Sequence, residues 1–79
     1  MKKITIFGRP GCGFCLRAKQ LCELNDLDFQ YVDIWKEGIS QQDLQKTVGQ
    51  PVSTVPQVFC GQEYVGGFSE LENYLKKSA

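Results

Sequence analysis

Between Phe7 and Cys15 the chain changes its period. KITIF, residues 3 to 7, is short, β-branched and aromatic, and it ends at Gly8 with Pro10 and Gly11 behind it, the pattern of a buried strand running into a loop. From Gly13 to about Asn25 there is no proline, and Cys15, Ala18, Leu21 and Cys22 recur at the spacing of one helical face. A strand therefore feeds a helix across the loop RPGCG, and Cys12 stands at the helix's N-terminal edge. A second strand is expected from Asp28 to Ile34 (DFQYVDI), where Phe29 and Tyr31 alternate with Gln30, Val32 and Ile34 and both faces are partly covered. Strand, helix and strand in that order imply two parallel strands joined by a right-handed crossover.

The rest of the chain supplies a second helix, a hairpin and a third helix. Ser40 followed by Asp43 resembles a capping box, and the segment to Val48 stops at Gly49, giving a helix of about two turns. PQVFC and EYVGG flank a GQ turn, as the strands of a β-hairpin do. Ser69 with Glu72 forms a further capping box, and Leu71, Tyr74 and Leu75 give the last helix its apolar face. The order β-α-β-α-β-β-α predicts an α/β protein, a mixed four-stranded sheet flanked by three helices with both faces covered, which is the thioredoxin fold. Seventy-nine residues cannot close two hydrophobic cores, so residues 1–79 are expected to be one domain.

Nine basic and nine acidic residues give a formal net charge of zero and lie scattered along the chain, which argues against nucleic acid as a partner. Small molecules or proteins are expected instead, with the chain a monomer. The opening MKKITIFG has too short an apolar run before Gly8 for a leader or a membrane span, so a cytoplasmic protein without a membrane partner is expected. In that compartment thiols stay reduced, and a CxxC pair is catalytic or metal-binding rather than a structural staple.

Disulfide exchange is carried by a thiolate. Three features favour an anion at Cys12: the unpaired N–H groups and positive dipole end of the helix, Arg9 upstream in the loop, and the S–H of Cys15. The helix-end contributions are each somewhat under about 1 kcal/mol when exposed, so several must act together. Cys15 lies a turn further in on the core-facing stripe, where desolvation disfavours its charged form. The pair reads as an exposed attacker and a shielded resolver; metal ligation and two inert thiols are the alternatives. Cys22 continues the buried stripe and reads as a small hydrophobe. Cys60 reads as strand packing beside the turn, with a modifiable spare thiol as the alternative. A four-cysteine zinc site would need Cys22 and Cys60 to converge on the pair, and the chain has no histidine, so no metal site is expected.

Taken together, IFGRPGCGFC, RAK, FQYVDI, TVPQVF and VGGFSEL resemble the glutaredoxins along almost the whole chain, and most of all the small bacterial dithiol members. The resemblance implies a thioredoxin fold, glutathione as the reducing cosubstrate, and protein disulfides as substrates, that of ribonucleotide reductase among them. It places the nucleophile at Cys12 and the resolving cysteine at Cys15. It implies a glutathione site made of Arg9, Phe14, Thr54, Val55, Pro56, Gly67, Phe68, Ser69 and Glu70. Within that set Arg9 serves the thiolate and the glycyl carboxylate, and Pro56 is cis. Val55 pairs its backbone with the cysteinyl unit, Gly66 and Gly67 permit close approach, and Ser69 and Glu70 hold the γ-glutamyl end. Trp35, in the loop after the second strand, is expected to pack over a helix end, outside the site.

Four positions depart from the family pattern: Gly13 and Phe14 replace the proline and tyrosine of CPYC, Phe68 stands where tyrosine is common, and Glu70 where aspartate is usual. Gly13 brings the motif close to the CGFS of monothiol members, which hold a two-iron two-sulfur cluster between two subunits with glutathione. Cluster binding through Cys12 and glutathione is therefore one alternative function. A redoxin reduced by a flavoprotein is another.

Overall fold

The computed structural model describes residues 3–78; Met1, Lys2 and Ala79 lie outside the described part. Its elements are β1 (Ile4–Gly8), α1 (Gly13–Leu24), β2 (Phe29–Asp33), α2 (Gln41–Val48), β3 (Gln57–Cys60), β4 (Glu63–Gly66) and α3 (Phe68–Ser78). They follow the expected order. The sheet runs β2-β1-β3-β4. β1 and β2 are parallel, with Ile6 beside Tyr31 and Gly8 beside Asp33, whereas β3 is antiparallel to both β1 and β4.

The core lies on one face of that sheet. Ile4 and Ile6 of β1 with Val58 and Cys60 of β3 pack against Ala18 and Cys22 of α1 and Leu71 of α3. This is the face that strand alternation points inward, so Cys22 is fully buried and Cys60 belongs to the same cluster. On the other face Thr5 and Phe7 are half-buried, and Phe59 packs edge-on against Phe7 at 6.0 Å and beside Tyr64 at 5.3 Å.

Local chemistry sets the element ends. β2 stops a residue early at Asp33, because that carboxylate accepts from the N–H groups of Trp35 and Lys36 and turns the chain. α2 has both halves of its capping box, with Asp43 N–H donating to Ser40 Oγ and Ser40 N–H to Asp43 Oδ2, each at 3.1 Å. The Ser40 N–H holds the Asp43 carboxyl below the ordinary carboxylate range. Gly49, left-handed at φ 87°, closes this helix.

The start of α3 corrects the expectation. Leu71 N–H donates to the carbonyl of Gly67 at 3.0 Å, which makes Gly67 the first cap, and Glu70 Oε1 accepts from Gly67 N–H at 2.7 Å. The side chain that reaches back to the helix start is thus Glu70, onto Gly67 N–H, and Ser69 with Glu72 forms no box. Ser69 already lies inside the first turn because the chain bends at Gly66, at φ 126°, and enters the helix at once. Among the described residues no helix is long and apolar enough to cross a membrane.

Candidate active site

Cys12 caps α1 with its own sulfur. Its backbone is extended, at φ −97° and ψ 110°, and its Sγ accepts from the N–H of Cys15 at 3.2 Å, as an N-cap oxygen would. The same sulfur, when protonated, donates to the carbonyl of Val55 at 3.6 Å. Cys12 is half-buried, Cys15 fully buried, and neither is in a disulfide.

Burial pushes the Cys15 thiol up to about 11, and its hydrogen bond to Cys12 works in the same direction, while the Arg9 backbone and the Tyr31 hydroxyl oppose the shift. Tyr31 in turn is pushed up to about 12, first by burial and then by Cys15 beside it. This contact exists because Gly8 has no side chain. A Cβ there would come 2.9 Å from Tyr31 Cζ and 3.0 Å from Cys15 Cβ. Tyr31 belongs to this site and was not singled out in the sequence; the available signal was a glycine closing a strand just before the cysteine loop.

Across from Cys12 the Val55–Pro56 peptide is cis, as the resemblance implied. The Thr54–Pro56 segment divides two shallow clefts. One, of about 270 Å³, is lined by Phe14, Thr54, Val55, Pro56, Gly67, Phe68, Ser69 and Glu70, which are all the expected glutathione residues except Arg9. Phe14, 56% exposed, faces Phe68 with ring centroids 6.0 Å apart and forms one wall. The other cleft, of about 520 Å³, joins Arg9 and Trp35 to Ile39, Gln41, Val52, Thr54 and Val55. Arg9 also lines a groove of about 400 Å³ beside Cys12, with Lys19 and Tyr31.

Trp35 departs from expectation. It is 63% exposed, and the Arg9 guanidinium lies 5.4 Å from its ring centroid, so it forms a cleft wall instead of covering a helix end. Gln57 and Tyr64, whose side chains bond to each other beneath the Thr54–Pro56 segment, were also not singled out. The signal for Gln57 was a polar residue opening an apolar strand. Among the described residues no group of three or more His, Cys, Asp or Glu side chains is placed to hold a metal ion.

A CxxC pair that begins a helix, faced by a cis-proline on a four-stranded mixed sheet, defines a thiol–disulfide exchange protein of the thioredoxin fold. Residues 4–65 match the glutaredoxin family model. The chain is 49% identical to glutaredoxin 1 of Salmonella typhimurium over 79 residues, covering 94% of this chain and 91% of that one. Reduced Escherichia coli glutaredoxin superposes with a TM-score of 0.84 at 45% identity, covering 95% and 94% of the two chains. A buckwheat glutaredoxin–glutathione complex gives 0.78 at 26% identity, covering 95% and 69%. The chain belongs to the glutaredoxin family and is a thiol–disulfide oxidoreductase.

Proposed function

We propose that the enzyme uses glutathione to reduce protein–glutathione mixed disulfides and protein disulfides, with Cys12 as nucleophile and Cys15 as resolving thiol. The observation that carries this reading is the cleft of about 270 Å³ lined from Phe14 to Glu70, one wall of which is Val55, whose carbonyl faces Cys12 Sγ at 3.6 Å. Its groups suit the γ-glutamyl and cysteinyl units of glutathione. Val55 offers a backbone edge to the cysteinyl peptide unit, and Phe14 and Phe68 offer an apolar wall. The first N–H groups of α3 have no intrahelical acceptor and suit the α-carboxylate of the γ-glutamyl end, and Glu70 suits its ammonium. Arg9, beyond Val55, is left for the glycyl carboxylate.

In the reaction, Cys12 thiolate attacks the glutathione sulfur of a mixed disulfide. The old S–S bond breaks, its electron pair leaves on the protein sulfur, which takes up a proton, and Cys12 remains bonded to glutathione. A second glutathione thiolate attacks that adduct, releases glutathione disulfide and restores Cys12. With a protein disulfide, Cys12 forms the mixed disulfide and Cys15 loses its proton and displaces the substrate thiol; two glutathiones then reduce the Cys12–Cys15 bond. Held near 11, Cys15 is a thiol at neutral pH and does not compete with Cys12 for the first attack. Ribonucleotide reductase is one disulfide such an enzyme would serve, as a monomer in the cytoplasm.

The test is turnover of a glutathionylated peptide with glutathione, beside the same assay with thioredoxin reductase as electron source. Turnover with the flavoprotein alone would refute glutathione dependence. Cys15→Ser is expected to keep deglutathionylation and lose reduction of protein disulfides; equal loss of both would refute the division of roles.

A further inference from the structure

Gln57 opens β3 and is 4% exposed, the one polar side chain fully buried among the described residues. Its Nε2 donates to the carbonyl of Thr54 at 2.8 Å, and its Oε1 accepts from the Tyr64 hydroxyl. The orientation of the amide follows from chemistry, since a peptide carbonyl can only accept and the NH₂ end must face it. The carbonyl end is then left for Tyr64, whose hydroxyl donates. Burying an amide is unfavourable by about 1–3 kcal/mol unless its hydrogen bonds are made, and here both ends make one.

The bonds form a chain from β4 through β3 into the loop: Tyr64, Gln57, Thr54. The residue after Thr54 is Val55, whose carbonyl faces Cys12 Sγ at 3.6 Å. Thr54 and Val55 line both clefts of the site. We propose that Gln57 is a positioning residue for the exchange reaction. By anchoring the Thr54 carbonyl it sets where the Val55 backbone stands relative to Cys12, and so how well that edge grips the cysteinyl unit of a glutathionylated substrate. The inference rests on the glutathione reading above and deepens it, since Gln57 touches neither substrate nor reacting sulfur.

The test compares Gln57→Leu, Gln57→Glu and Tyr64→Phe with the wild type, using a glutathionylated peptide and glutathione, and separately the alkylation rate of Cys12 by iodoacetamide. Gln57→Leu removes the donor to Thr54 and is expected to raise KM for the peptide about tenfold with little change in kcat, the scale of one hydrogen bond. Gln57→Glu is isosteric and places a carboxylate oxygen against the Thr54 carbonyl, so its KM rises at least as far. Iodoacetamide has no peptide unit for the Val55 edge to grip and reports the Cys12 thiol alone, so its rate is expected to change less than KM does. Ile4→Val, which thins the core away from this link, serves as a destabilised control with unchanged KM. Should Gln57→Leu not fold, Tyr64→Phe carries the test, with an expected rise in KM of about threefold. KM values equal to the control's in every Gln57 and Tyr64 variant would overturn the inference while leaving the glutathione reading intact. A wild type that does not turn over the glutathionylated peptide would instead sink that reading, and the inference with it.

Discussion

Gly8 is the point at which strand, buried cysteine and tyrosine meet. A methyl group there would have to displace Tyr31 Cζ from 2.9 Å and Cys15 Cβ from 3.0 Å, and both neighbours are held by the sheet and by α1. Gly8→Ala is therefore expected to cost about 1–3 kcal/mol of stability, the usual penalty of overpacking. In urea unfolding the cost should shrink when Tyr31→Leu is combined with it, because the hydroxyl-bearing ring supplies the nearest atoms. An equal cost in both backgrounds would mean that the backbone of the loop, not the ring, is what the methyl group meets. The same crowding explains why Tyr31 was not legible as part of the site: its contact depends on the β1–β2 register that sets Ile6 beside Tyr31, and on a missing side chain.

The starts of α2 and α3 show how far local sequence carries. Ser40 and Asp43 were readable because both halves of their box lie within one turn and need no other element. Ser40→Ala should cost about 1 kcal/mol by chemical denaturation, the common value for an N-cap, with m unchanged. Ser69 and Glu72 match the same pattern without forming the cap, since the helix start is decided at Gly66, whose φ of 126° lets Glu70 fold back onto Gly67 N–H. Glu70→Ala, which removes the acceptor for Gly67 N–H, should thus lower the stability of the reduced protein, while Glu72→Ala should leave it within about 0.5 kcal/mol, as for an ordinary surface substitution. The reverse order would restore the Ser69 cap. Trp35 was misplaced for a related reason, because its partner Arg9 is distant in sequence and the loop after β2 carries no periodicity to orient a ring.

For the molecule as a whole, apolar periodicity conveyed the element order and the sheet, and cysteine burial followed from it. That burial has a pH consequence. Cys15 and Cys22 both have an ordinary value of 9.0 that is pushed up to about 11 in the fold, in each case chiefly by desolvation. Above pH 9 the unfolded chain releases these protons and the folded one retains them, so the folded state is the one that loses ground. Stability should be fully present below about pH 9 and fall as pH rises through about 11. Urea midpoints of the reduced protein between pH 8 and 10.5 would show the decline, and Cys22→Ala should make it shallower; a flat profile would contradict burial as the cause.

In the proposed mechanism the atom that caps α1 is also the atom that reacts. Any free energy the helix draws from the reduced sulfur of Cys12 is altered when that sulfur enters a disulfide, so folding and oxidation are two sides of one thermodynamic cycle. Closing the cycle makes the stability gap between dithiol and disulfide forms equal to the shift of reduction potential that folding imposes, about 30 mV for each 1.4 kcal/mol. A helix terminus thereby becomes an electrochemical component, and ordinary denaturation curves of the two redox forms read its voltage.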